Sequence, residues 1–219
     1  PNAPEATLQR ARDVRLDFFR GLGMFFIFIA HIPGNPWAGW IPARFGFSDS
    51  TEIFVFCSGM ASAIAFANVF ETRGFWLGCA RILHRCWQVY WVHIGLFFVA
   101  ATLMFWADQI FATDTLYLNS INLVRFFNES TGVGLIGLFT LTYVPNLFDI
   151  LPMYLVILAM IPLIMALARL GGWVPVAFSF VLWVIATQGY WQFSAEPWSE
   201  RRWFFHPLAW QMLFFTGFA

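Results

Sequence analysis

Arg20-Gly-Leu-Gly-Met-Phe-Phe-Ile-Phe-Ile-Ala-His31 is an apolar run with an ionisable side chain at each end. Ionisable groups are costly in hydrocarbon, and in membrane proteins they usually mark functional sites. Eleven residues of α-helix rise about 16 Å and turn about 20° beyond three full turns. A helix would therefore present Arg20 and His31 on nearly the same face, about half a bilayer apart. One cavity could contact both side chains.

The composition around this run predicts an integral membrane protein. The chain has 219 residues, of which 60% are hydrophobic, 21% aromatic and 11% charged, whereas charged residues make up about 25% of ordinary soluble domains. The net charge is zero, which argues against a nucleic acid partner. We therefore predict an all-α fold, a polytopic transmembrane helical bundle, with the lipid bilayer as its surroundings. A homo-oligomer is compatible with the sequence.

Hydropathy predicts a single integral membrane domain over residues 1–219, with five to six transmembrane helices. A shorter apolar stretch at 132–143, interrupted by Pro145, and a short helix within 118–127 indicate an interfacial segment near 107–148. The last apolar run stops after thirteen residues, so we expect the chain to be truncated at its C-terminus and the natural protein to continue. The other predicted membrane segments are 16–33, 51–70, 87–106, 150–167 and 173–190.

The arginines predict an orientation with the N-terminus in the cytoplasm, because positive charge is enriched in cytoplasmic connections. Seven arginines then lie inside and four outside, provided that 132–143 does not cross. The inside group is Arg10, Arg12, Arg15, Arg73, Arg81, Arg85 and Arg169, and the outside group is Arg44, Arg125, Arg201 and Arg202.

The residue types favour acyl transfer, with His31 and Glu52 as the catalytic pair. A neutral histidine can take a proton from a substrate hydroxyl or carry the acyl group transiently, and a nearby carboxylate can orient the ring and stabilise the imidazolium. Arg20 is suited to hold a phosphate or a polarised carbonyl of the donor. Each residue has a structural alternative: an interfacial histidine, a helix-start carboxylate, and an Arg20–Asp17 ion pair with Arg20 reaching the headgroups.

Further candidates lie near the same external mouth. Asp149 precedes a predicted helix, where it could line the acceptor side or cap the helix. His206, before Pro207, could line the mouth as well. The indoles of Trp191, Trp198 and Trp203 could stack on sugars, although an interfacial aromatic belt explains them equally. Three cysteines show no metal-ligand spacing, and no metal is expected.

Several motifs resemble the OpgC family, which belongs to the wider acyltransferase-3 group. The similarity covers nearly the whole chain, and the family more often has Asn where this chain has His206. The motifs are Arg15-Leu-Asp-Phe-Phe-Arg-Gly-Leu22, the Arg-x10-His spacing, Ile32-Pro-Gly-Asn35, Glu52-Ile-Phe-Val-Phe-Cys-Ser-Gly59 and Pro207-Leu-Ala-Trp-Gln-Met-Leu213.

The resemblance implies a multi-pass enzyme of the bacterial inner membrane. It implies transfer of a succinyl group from cytoplasmic acyl-CoA (succinyl-CoA), used as a co-substrate with no bound cofactor, to a hydroxyl of a periplasmic glucan or related polysaccharide. The family's histidine corresponds to His31, its arginine to Arg20 and its acidic residue to Glu52. Asp17 and Asp149 join Arg20 as substrate-binding candidates, and Asn35 is a weaker one with His206 and Trp203.

A membrane transporter or flippase for a lipid-linked or acylated solute is the alternative function. Arg20 and His31 would then be relay groups within the membrane. The sequence shows no internal repeat, which counts against this class. Release of free coenzyme A thiol distinguishes the two, because a transporter consumes no acyl donor.

Overall fold

The structure, a computed structural model, describes residues 13–111, 117–128 and 131–219. These residues form ten α-helices, and the all-α class is confirmed for them: their β pairing is limited to an isolated bridge between Ser194 and Arg202. The helices are α1 (Val14–Ala30), α2 (Ser50–Ser62), α3 (Asn68–Thr72), α4 (Phe75–Phe111), α5 (Tyr117–Ser120), α6 (Val124–Asn128), α7 (Thr131–Thr140), α8 (Ile150–Ala168), α9 (Trp173–Thr187) and α10 (Pro207–Phe218).

The helices α1 and α2 begin at side-chain caps. The Asp13 carboxylate accepts a hydrogen bond from the Arg15 backbone N–H at the start of α1. Asp49 and Glu52 form a reciprocal capping box at the start of α2. A π-helical turn, Ala63–Ala67, joins α2 to α3, so that the helix continues from Ser50 to Thr72.

The helix α4 is longer than the sequence predicts. A polar connection with Arg81 and Arg85 was expected before residue 87, but the helix begins at Phe75 and continues through both arginines. Arginine is a good helix former and its long side chain can keep its charge at the membrane surface, so these charges do not end the helix. The break falls instead at Arg73 and Gly74, where Gly74 has a φ of 89°.

Within the described residues, three helices are long and apolar enough to cross a membrane: Ser50–Thr72, Phe75–Phe111 and Ile150–Ala168. With 17 and 15 residues, α1 and α9 are shorter. The count of five to six crossings and the cytoplasmic N-terminus remain predictions. Arg10 and Arg12, on which that orientation partly depends, lie outside the described residues.

Small residues bring α2 close to its neighbours, because they let helix backbones approach one another. An added Cβ at Gly59 would overlap the backbone carbonyl oxygen of Phe214, and one at Gly217 would overlap that of Phe56. On the other side of α2, Gly23 packs against Ser50 and Phe54. The helix α2 is therefore held between α1 and α10. This packing fixes the position of α1, the helix that carries Arg20.

A buried amide links α10 to α9. The Gln211 side chain is fully buried, its Nε2 donates to the Ser179 carbonyl at 2.8 Å, and its Oε1 accepts from the Ser179 hydroxyl at 2.6 Å. Gln211 belongs to a motif that resembles the OpgC family, and in the structure its side chain serves helix packing. Interhelical hydrogen bonds of this kind stabilise membrane bundles.

One hydrophobic core lies among α2, α3, α4, α8 and α10, and apolar residues around α5, α6 and α7 form a second core. One short helix was expected within 118–127, but the segment divides into α5 and α6 at Asn122, whose φ of 58° is left-handed. Its apolar side chains pack inward against Phe97 and Tyr143. The interfacial location of this region remains a prediction, and its residues 112–116 and 129–130 lie outside the described part of the chain.

An ion pair holds this second core to the connection before α10. The Arg201 guanidinium donates to the Glu196 carboxylate and to the Val144 carbonyl, while Asn122 also donates to Glu196. Glu196 is buried, and the Ser199 hydroxyl satisfies its second oxygen at 2.9 Å. Removing one partner of a buried ion pair lowers the stability of the fold, because the other charge stays buried without a partner. The pair therefore fixes the segment 194–204 against Val144.

Candidate active site

A cavity of about 610 Å³ lies among α1, α2, α4, α8 and α10, and we refer to it as the central cavity. Its volume is within the range of small-molecule sites. Apolar side chains supply most of its wall. The polar and charged side chains that line it are Arg20, His31, Ser58, Arg85, Gln88 and Tyr154.

Arg20 and His31 both line the central cavity, as their helical spacing predicts. Arg20 lies on α1, and its guanidinium carbon is 5.8 Å from the centroid of the Phe54 ring. The Arg20 Nε–H is buried and has no hydrogen-bond partner among the described residues. An unpartnered donor on a cation inside a cavity is suited to an anionic or carbonyl ligand.

His31 follows α1 directly, and its ring forms a hydrogen bond to the backbone of α1. The ring Nδ1 lies 2.7 Å from the carbonyl oxygen of Ile27. Because a carbonyl oxygen can only accept, Nδ1 carries the proton in this bond and Nε2 is the basic nitrogen of the neutral ring. The backbone therefore orients the ring and selects its tautomer, which is the arrangement that a general base requires.

Arg85 is a lining residue that the sequence reasoning did not select. It was assigned to a cytoplasmic connection, and only the extension of α4 brings it to the cavity wall. Its Nη1 donates to Gln88 Oε1 at 3.3 Å. The central cavity therefore contains two arginines from two helices. The contact between α4 and α8, which closes this side of the central cavity, cannot be predicted from local sequence.

Glu52 is part of the α2 cap. Its Oε2 accepts from the Asp49 backbone N–H at 3.1 Å, so Glu52 caps the start of α2, and its catalytic role stays a prediction. The structure does not place Glu52 among the lining residues of the central cavity. Its pairing with His31 stays a prediction, and in the structure the Ile27 carbonyl holds the ring instead.

Asp149 is buried at the start of α8. It occupies the N-cap position, as the sequence predicts, but its side chain makes no capping hydrogen bond. Instead, Oδ2 accepts from the Phe204 backbone N–H at 2.8 Å, and Oδ1 has no partner among the described residues. Burial raises the pKa of Asp149, opposed by the Phe204 hydrogen bond and the charge of Arg201. Its neighbours Leu147 and Ile150 line the central cavity.

The substitution Asp149→Asn tests this environment. A raised pKa means that the folded protein holds the proton more tightly than the unfolded chain, so the carboxyl's contribution to stability falls as pH rises above about 3.9. Asn keeps an acceptor for Phe204 and removes the charge. We expect a Tm at pH 7 at least equal to that of the wild type, with a weaker pH dependence, in thermal unfolding in detergent.

Asp149→Ala is the matched control, because it also removes the acceptor and leaves the Phe204 N–H unpaired. We expect it to lower the Tm. If Asn lowers the Tm as much as Ala does, the attraction of Arg201 outweighs the cost of burying the charge.

The remaining candidates lie outside the wall of the central cavity. The His206 ring is buried, with Nε2 donating to the Trp191 carbonyl at 2.9 Å and Nδ1 unpartnered among the described residues. Trp203 is 6% exposed and its indole donates to the Ser194 carbonyl, so its ring is covered by protein. Asn35 caps a short 3-10 helix and bonds to the Ile29 carbonyl, and Asp17 is partly buried on α1.

Comparison with known proteins identifies the family of the chain. The family model described as OpgC protein matches residues 12–219, which include the central cavity and both arginines. No curated protein and no solved structure shows significant similarity to the chain. Because the match extends over nearly all of the sequence, the chain belongs to the OpgC protein family.

Proposed function

We propose that the protein is a membrane-bound O-acyltransferase that moves an acyl group from acyl-CoA to a hydroxyl of a glucan or related polysaccharide. The observation that carries this proposal is the central cavity, which is lined by Arg20, Arg85 and a His31 whose ring is held by a hydrogen bond. Membership of the OpgC protein family supports the same class of reaction. A succinyl group, succinyl-CoA as donor and a periplasmic acceptor are the finer parts of the proposal.

The two arginines are proposed to bind the anionic part of the donor. Arginine holds phosphates through several charge-assisted hydrogen bonds, and the unpartnered Arg20 Nε–H is available for one of them. Apolar side chains from α1, α4 and α8 would surround the neutral part of the donor. In the predicted orientation, the end of the cavity that contains the two arginines faces the cytoplasmic side of a bacterial inner membrane.

His31 is proposed to act as the general base. Its Nε2 takes the proton of the acceptor hydroxyl while the hydroxyl oxygen attacks the thioester carbonyl carbon. The carbon–sulfur bond then breaks, and the departing thiolate takes the proton from the imidazolium. The products are an ester on the acceptor and free coenzyme A thiol.

The test uses the protein in nanodiscs with succinyl-CoA and purified periplasmic glucan. We expect thiol release and a gain in glucan mass of one succinyl group for each thiol. Acetyl-CoA, run in parallel, separates acyl transfer in general from the choice of succinyl. If no short acyl-CoA that is tested leads to thiol release, the proposed acyltransferase activity is contradicted and the transporter function is favoured.

Arg20→Gln tests the donor site. We expect the KM for the acyl donor to rise about tenfold or more, because a charge-assisted hydrogen bond contributes about 1.5–3 kcal/mol. The KM for the glucan should be unchanged. Arg73→Gln is the matched control, since Arg73 is exposed between α3 and α4 and does not line the central cavity. An unchanged donor KM in Arg20→Gln would remove Arg20 from the donor site.

A further inference from the structure

Leu147 lines the central cavity in a backbone conformation that favours glycine. Its φ is 70°, a left-handed value that is strained for a leucine. The Phe148 N–H donates to the Pro145 carbonyl at 3.2 Å, so Leu147 is the third residue of a tight turn. Turns with positive φ at this position normally have Gly or Asn there.

Burial does not explain why leucine occupies this position. Leu147 is 67% exposed, so its side chain gains little from the core. Strained residues persist when the surrounding structure fixes them, and they cluster at functional sites. What Leu147 contributes is a bulky apolar side chain at the exposed rim of the cavity that contains His31.

The surrounding structure holds this turn on both sides. Before it, Val144 donates its N–H to the Ala195 carbonyl at 2.8 Å, and the Val144 carbonyl accepts from Arg201. After it, the Asp149 carboxylate accepts from the Phe204 N–H. The segment 194–204, fixed by the buried Glu196–Arg201 pair, therefore clamps the turn at its two ends.

We infer that Leu147 is a positioning residue that limits the access of water to the acyl donor at the rim of the central cavity. This inference rests on the proposed function. Water can replace the sugar hydroxyl: its oxygen bonds to the thioester carbonyl carbon, the carbon–sulfur bond breaks, and the products are a free carboxylic acid and free thiol. Exclusion of water from an active site suppresses such hydrolysis.

The experiment measures free thiol and acylated glucan together in nanodiscs, with succinyl-CoA and glucan. In the wild type we expect about one thiol released for each ester formed. Leu147→Gly accepts the positive φ and removes the side chain, so we expect the ratio of thiol to ester to rise several-fold. Leu147→Met restores an apolar side chain of similar size and should return the ratio close to the wild-type value.

Leu141→Gly is the matched control. Leu141 also has a positive φ, of 60°, but it packs against the second core and does not line the central cavity. Its ratio of thiol to ester should stay at the wild-type value. An unchanged ratio in Leu147→Gly, or an equal rise in Leu141→Gly, overturns the inference while leaving the proposed function intact. A wild-type protein that releases no thiol overturns both.

Discussion

Replacing His31 with Ala is expected to reduce acyl transfer by about a thousandfold or more, because the general base is lost. His31→Asn gives a sharper test. The Asn side-chain N–H can still donate to the Ile27 carbonyl, as His31 Nδ1 does, but no nitrogen remains at the position of Nε2. We expect both variants to be inactive in the thiol-release assay and to insert into the membrane normally.

His84→Ala is the matched control for these variants. His84 is exposed on α4 and does not line the central cavity, so its loss should leave the rate unchanged. If His31→Asn retains activity, Nε2 is not the base. The proposed role of His31 would then reduce to the bond that Nδ1 makes with its own helix.

Gly59→Val is expected to prevent folding of the bundle or to destabilise it by at least about 3 kcal/mol, at the upper end of the usual cost of overpacking. A Cβ at this position would overlap the Phe214 carbonyl oxygen, which belongs to a helix backbone and cannot turn away. The helices α2 and α10 would have to separate, and the wall that contains Val55 and Phe214 would open. Size-exclusion chromatography and thermal unfolding in detergent measure the effect.

Gly95→Ala is the matched control for this substitution. Gly95 is also helical, but nothing lies within 4 Å of a Cβ built at this position. The change should stabilise the protein by about 0.5–1 kcal/mol, the usual gain for Gly to Ala within a helix. A Gly59→Val protein with the wild-type Tm would show that α2 and α10 do not pack as described.

Periodicity was sufficient to predict that Arg20, on α1, and His31, at its C-cap, line one cavity of the candidate site. Arg20 and His31 are eleven residues apart, and helix geometry alone places them on one face. Local sequence also indicated the α2 cap at Glu52. The predicted all-α class depended only on hydropathy and composition, which are properties of each segment by itself.

The parts that the sequence did not predict depend on contacts between distant segments. Arg85 reaches the central cavity because α4 continues across a stretch of charge and packs on α8. Asp149 bonds to Phe204, 55 residues away, in place of capping its own helix. The left-handed conformation of Leu147 has no local signal, because the sequence Pro145–Phe148 contains no glycine at the strained position.

The unbroken α4 also relates the protein to the thickness of its bilayer. Between Arg85 and Asp108 the helix has 22 residues without a formal charge, a rise of about 33 Å that is close to the hydrocarbon thickness of about 30 Å. Arg85 is thereby expected at headgroup depth on one side of the membrane while its side chain lines the central cavity. Lipids with longer or shorter chains would then tilt α4 or deform the bilayer around it. We therefore expect the thickness of the bilayer to affect the end of the central cavity at which Arg85 lies.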